Sequence, residues 1–120
     1  KKKINVGKNY FKILKKKNLS FGQKLIKNSK PVFWLNSVLF NKSSKNKVRD
    51  LGEKLKKRGI EVRSGFWPLN LLKNFDTAYI SKQNITKKIF EKIIILPSSY
   101  DLNKKDINYI VNCIKKENIK

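Results

Sequence analysis

Histidine and methionine are absent from this 120-residue chain, cysteine occurs once, proline three times, and only 8 residues are acidic. Without histidine and with a single thiol, the ordinary zinc ligand sets, the Ser-His-Asp triad and the Cys-His pair are all unavailable. A lone Cys113 forms no internal disulfide, and the N-terminal Lys-Lys-Lys-Ile-Asn lacks the apolar segment of a secretory signal. No apolar run is longer than Ile93 to Pro97, far short of the roughly 20 residues a membrane span needs. The expectation is one small domain, cytoplasmic and without a membrane partner. The missing Met adds a second expectation, that the chain is a piece of a longer protein whose function it shares.

What the chain has in excess is positive charge, 30 Lys plus Arg and a formal net charge of +22. Such a balance suggests a polyanion partner, because clustered cations release counterions from phosphate backbones. The split between the two cations argues for another origin. There are 27 Lys to 3 Arg, and Lys, Asn and Ile, the residues of A/T-rich codons, fill 55 of 120 positions. Arginine, which makes bidentate contacts to guanine and phosphate, is scarce, and the lysines spread along the whole length. A solvated basic surface therefore competes with a dedicated nucleic-acid face, and any nucleic-acid contact is expected to be weak and non-specific.

Periodicity gives the element order. Ile4, Tyr10, Phe11, Ile13 and Leu14 fall loosely at helical spacing, so residues 1–30 read as a lead-in helix and a polar connection. Residues 31–40, Pro-Val-Phe-Trp-Leu-Asn-Ser-Val-Leu-Phe, read as a buried strand. Val48, Leu51 and Leu55 mark a helix over 47–58 that Gly59 stops. Ile60 to Ser64 alternates as a short strand, residues 65–70 form an aromatic turn, and the stretch to Asn84 has no clean period. Thr86 to Lys92 allows one or two helical turns before the strand Ile93 to Leu96. Asn103 and Asp106 resemble a capping box ahead of the stripe Ile107, Ile110, Val111 and Ile114. The predicted fold is α/β (α+β), about three strands with helices packed on one face, residues 31–120 forming the domain proper.

Two stretches carry a resemblance. Leu55 to Asn70 reads Leu-Lys-Lys-Arg-Gly-Ile-Glu-Val-Arg-Ser-Gly-Phe-Trp-Pro-Leu-Asn, and Ile94 to Ile110 opens with Ile-Ile-Leu-Pro-Ser-Ser. With the aromatic strand around Trp34, this is similar to the C-terminal small domain of the DegT/DnrJ/StrS family of pyridoxal-phosphate-dependent sugar aminotransferases. The resemblance spans the chain from about Tyr10 to Lys115. It implies an aminotransferase of fold type I that moves an amino group from an amino acid donor, glutamate, to a nucleotide-linked ketosugar, for cell-surface polysaccharide or amino-sugar synthesis. It also implies a homodimeric parent, with pyridoxal phosphate held by a large domain and no catalytic residue in this piece.

Where the family has His after Pro-Leu, this chain has Asn70, so proton exchange is not expected there. Ser20-Phe-Gly-Gln-Lys24 imitates the Schiff-base lysine motif, but its spacing is a residue short and no Gly pair follows, so Lys24 is read as a decoy. No Gly-rich turn opens a helix to cradle a phosphate.

Arg63, Phe66, Trp67 and Asn70 are the substrate-binding candidates. The fork of Arg63 suits a carboxylate or a phosphate, but the same residue could simply pair with Glu61. Phe66 and Trp67 could line a cleft or bury the turn, and Asn70 could contact substrate or cap the turn. Trp34 and Tyr109 read as core, and Cys113 as buried and structural. The alternative function is a free-standing lysine-rich module that binds nucleic acid.

Overall fold

A computed structural model describes residues 1–23, 26–75 and 85–119. The elements run α1 (Lys2–Lys16), β1 (Ser20–Phe21), β2 (Asn36–Leu39), α2 (Lys45–Lys57), β3 (Arg63–Ser64), two short 3-10 turns (Leu69–Leu71 and Lys73–Phe75), α3 (Ile85–Phe90), β4 (Ile93–Leu96) and α4 (Lys104–Lys116). The strands form one antiparallel sheet in the order β1-β2-β4-β3.

Amphipathic helices and one side of the sheet make the core. Val6, Tyr10, Ile13 and Leu14 of α1, Val48, Leu51 and Leu55 of α2, and Ile107, Ile110, Val111 and Ile114 of α4 close on Val38, Ile94 and Leu96. Each fully buried aliphatic side chain contributes about 1.5–3 kcal/mol of transfer free energy. The phenol of Tyr10 donates to the Pro97 carbonyl at 3.0 Å, tying α1 to the end of β4. Burial, with a smaller contribution from the charge of Asp106, raises its pKa and keeps it a neutral donor. Asn36 is a fully buried polar residue beside this core. Its backbone N–H and its amide Nδ2 both donate to the Ser98 hydroxyl, at 3.2 and 3.1 Å, and that hydroxyl donates to the Leu96 carbonyl.

Helix ends follow local chemistry. Asn103 accepts from the backbone N–H groups of Lys105 and Asp106, and the Asp106 carboxylate accepts from the Asn103 N–H, the reciprocal capping box expected at α4. At the end of α2, Gly59 takes φ +76° while the Ile60 N–H reaches the Leu55 carbonyl and the Gly59 N–H the Lys56 carbonyl, a Schellman closure. Asn18 closes α1 the same way at φ +56°. Asparagine tolerates this left-handed conformation better than most residues.

The sheet departs from expectation in three places. It has four strands, because Ser20–Phe21, read as connection, pairs with Val38 and Leu39. The predicted strand over 31–40 is laddered only at 36–39: Phe33 sits at φ +51° with its ring against Gly7, which breaks the extended backbone. A Cβ on Gly7 would fall 2.1 Å from the Phe33 ring, so that glycine is what admits the aromatic. The predicted strand over 60–64 is laddered only at Arg63–Ser64, because the Ile60 N–H is taken by the α2 closure.

Trp34 and Tyr109 are not core. They are 67% and 53% exposed, Trp34 because the turn at Phe33 reverses which aromatic faces inward. Cys113 is buried, as read. Lys24 and much of the aperiodic stretch before Asn84 lie outside the described residues.

Candidate functional site

Strand β4 fixes where Arg63 points. Ser64 pairs with Ile94, a core residue, and Arg63 pairs with Ile95. Alternation therefore puts Arg63 and Ile95 on the sheet face away from the helices. The Arg63 side chain is 78% exposed, and its Nη2 reaches Glu61 Oε1 at 3.4 Å, a long contact between two solvated groups. Such an exposed pair contributes at most about 1 kcal/mol. The guanidinium keeps most of its donor fork available.

Gly65 then sets the aromatic turn. A Cβ there would lie 2.6 Å from the Phe90 carbonyl oxygen, so only glycine lets the turn pass this close to the end of α3. Trp67 lands against Phe90, ring centroids 5.2 Å apart, and Phe66 stacks on Trp34 at 6.3 Å with planes 20° apart. Pro68, at φ −60°, leads into the 3-10 turn that holds the Asn70 backbone. Nothing is described of the Asn70 side chain.

Together these pieces wall a cleft of about 1190 Å³ that runs along β3 and β4 between the aromatic turn and α2. Arg63, Phe66 and Trp67 all line it, so three of the four predicted site residues come together. Trp34 is the wall residue that the sequence reading assigned to the core. The only available signal was its place in an aromatic run, which does not say which ring faces inward. Two cleft lysines, Lys45 and Lys56, are held by Glu91 at 3.5 Å and Glu53 at 3.1 Å.

The described residues do not build a site for pyridoxal phosphate. Helix α2 opens on Ser44, whose hydroxyl caps its own helix, and α4 opens on a self-satisfied capping box, so neither N-terminus is a glycine-rich phosphate cradle. Among the described residues no group of three or more metal-ligating side chains occurs, and no helix is long and apolar enough to cross a membrane.

The sequence pattern of the DegT/DnrJ/EryC1/StrS aminotransferase family matches residues 1–115. The chain belongs to that family. No match is found among curated proteins.

Solved structures agree on the fold. Spr1654 of Streptococcus pneumoniae, assigned as a sugar aminotransferase and solved in its PMP form, is 19% identical with a TM-score of 0.80, over 97% of this chain and 30% of that one. A DegT/DnrJ/EryC1/StrS aminotransferase of Brucella abortus is 17% identical with a TM-score of 0.78, over 96% and 30%. PseC of Helicobacter pylori, an aminotransferase involved in pseudoaminic acid biosynthesis, is 20% identical with a TM-score of 0.73, over 97% and 32%. This family member thus spans about a third of the length of the proteins it resembles.

Proposed function

We propose that this chain is the C-terminal small domain of a sugar aminotransferase that moves an amino group from glutamate to a nucleotide-linked ketosugar, yielding 2-oxoglutarate and an amino sugar. The carrying observation is the family match over residues 1–115 on a fold whose cleft presents Arg63 beside an aromatic wall. In this reading residues 31–120 form the domain and 1–30 lead into it, lending α1 to its core and β1 to its sheet. The enzyme works in the cytoplasm as a homodimer, and its product feeds amino-sugar or cell-surface polysaccharide synthesis.

Bound pyridoxal phosphate supplies the electron sink for such a transfer. In this reading it is carried by the large domain.

The share of this chain is binding. Arg63 offers a permanently charged planar fork to the carboxylate of the donor or to a substrate phosphate. Phe66 and Trp67 give a flat apolar wall that excludes water beside it. Asn70, in the turn that follows, supplies a non-titrating hydrogen-bond partner where the family pattern has histidine.

The test follows amino transfer by the aminotransferase that carries this chain, with glutamate and a nucleotide ketosugar. Formation of 2-oxoglutarate matched by aminated sugar is the expected result. Absence of both, across several nucleotide ketosugars, would sink the reading.

A further inference from the structure

Trp34 and Leu35 form a short span fixed at both ends. On one side Asn36 begins β2, its backbone N–H and its amide both held by the Ser98 hydroxyl. On the other, Phe33 stands at φ +51°, a left-handed conformation that a bulky residue keeps only when its surroundings impose it. What imposes it is the seat of the ring. Phe33 is 3% exposed, its ring lies against Gly7 of α1 where a Cβ would collide with it, and the Phe21 ring of β1 stands 6.3 Å away. Just beyond, Lys3 Nζ donates to the Trp34 carbonyl at 3.2 Å, a second tie to α1. The two residues between these anchors both line the cleft, and the Trp34 indole stacks on Phe66.

We propose that Phe33 and Gly7 are positioning residues of the substrate cleft: the ring seated against α1 holds the left-handed turn that sends Trp34 out of the core and onto Phe66. The proposal rests on the functional reading above, in which the aromatic wall faces substrate. Neither residue lines the cleft, so each acts only through Trp34. An exposed indole on a free backbone samples many orientations, and fixing it before substrate arrives removes that ordering cost from binding. Loss of the seat should therefore weaken substrate capture and spare the transfer step.

The contact is read by nuclear Overhauser effects between the Trp34 indole and the Phe66 ring in the 120-residue chain, and its consequence by steady-state kinetics of the aminotransferase that carries the chain. Phe33→Gly permits the left-handed backbone but removes the ring. It should abolish the Overhauser contact and raise KM for a nucleotide ketosugar severalfold, with kcat and KM for glutamate unchanged. Gly7→Ala keeps every buried ring but fills the seat. It should do the same, and it carries the test if Phe33→Gly does not fold. Leu51→Ala, a core truncation in α2, should lower the melting temperature yet leave the contact and both KM values as in wild type. A Trp34–Phe66 contact that persists in Phe33→Gly or Gly7→Ala overturns the proposal. So does its loss in Leu51→Ala, or an unchanged ketosugar KM in a variant that has lost it. A wild-type contact without amino transfer rejects the enzyme reading alone, and transfer with a contact indifferent to Phe33→Gly rejects the positioning alone.

Discussion

Arg63 contributes little to folding, since its side chain is 78% exposed and its contact with Glu61 is a solvated 3.4 Å pair. Arg63→Ala should change unfolding free energy by less than about 0.5 kcal/mol. In the intact aminotransferase the same change should cost on the order of 2 kcal/mol, about a thirtyfold loss in kcat/KM. Arg63→Lys should recover only part, because a point charge replaces a fork. Thermal denaturation beside steady-state kinetics for both substrates checks this, and unchanged kinetics would return Arg63 to the surface. Gly65→Ala should act oppositely, destabilising the fold by about 1–3 kcal/mol, because two backbones must separate to admit a Cβ that starts 2.6 Å from the Phe90 oxygen. At this scale the sequence was informative where a residue type was scarce. Three arginines among 27 lysines made Arg63 conspicuous. Trp34 was misread because a run of aromatic and β-branched residues reads as a wholly buried strand, and the left-handed Phe33 buries its own ring while turning Trp34 outward.

At the scale of elements, helices were more legible than strands. Helix α4 announced itself through Asn103, Asp106 and a complete apolar stripe, and Asn103→Ala should cost about 1 kcal/mol by equilibrium denaturation. Strand β1 has two residues, and no pattern of period two can be read from two positions; only its pairing with β2 defines it. The left-handed asparagines that close α1 and follow α4 were equally hidden, because asparagine fills 14 positions and marks no one of them. Helices α2 and α4 are also joined by charge. Glu117 accepts from Lys54 and from Arg58, each at 2.7 Å, and the Lys54 bond, then that of Arg58, holds its carboxyl below the ordinary range. A depressed pKa in the folded state contributes stability that is present above the unfolded value near 4.5 and lost as pH falls through the folded one. Glu117→Gln should therefore flatten the acid limb of stability against pH, with the largest difference from wild type above pH 4.5 and convergence at lower pH. Parallel curves at all pH values would remove Glu117 from the acid response.

For the whole molecule, a net charge of +22 has to be reconciled with an aminotransferase fold. A diffuse lysine surface should bind nucleic acid weakly, without sequence preference, and lose roughly a thousandfold in affinity between about 50 and 200 mM salt. Fluorescence anisotropy at the two salt concentrations reads this directly; tight binding to one sequence at physiological salt would favour the nucleic-acid module instead. The family itself was legible in the order of pieces, Gly59-Ile60, Val62-Arg63, the aromatic-Pro-Leu turn and Leu96-Pro97-Ser98, because each is tied to a backbone event: a helix stop, a strand, a tight turn and a strand end. On the proposed function, this chain supplies a substrate-facing wall and another part supplies the cofactor site. The most direct measurement is a titration of pyridoxal phosphate, followed by its visible absorption, into the 120-residue chain and into the aminotransferase that carries it. The account predicts a saturable Schiff-base band, discharged by glutamate, in the longer protein alone. A saturable band in the 120-residue chain that disappears on Lys24→Ala would contradict it.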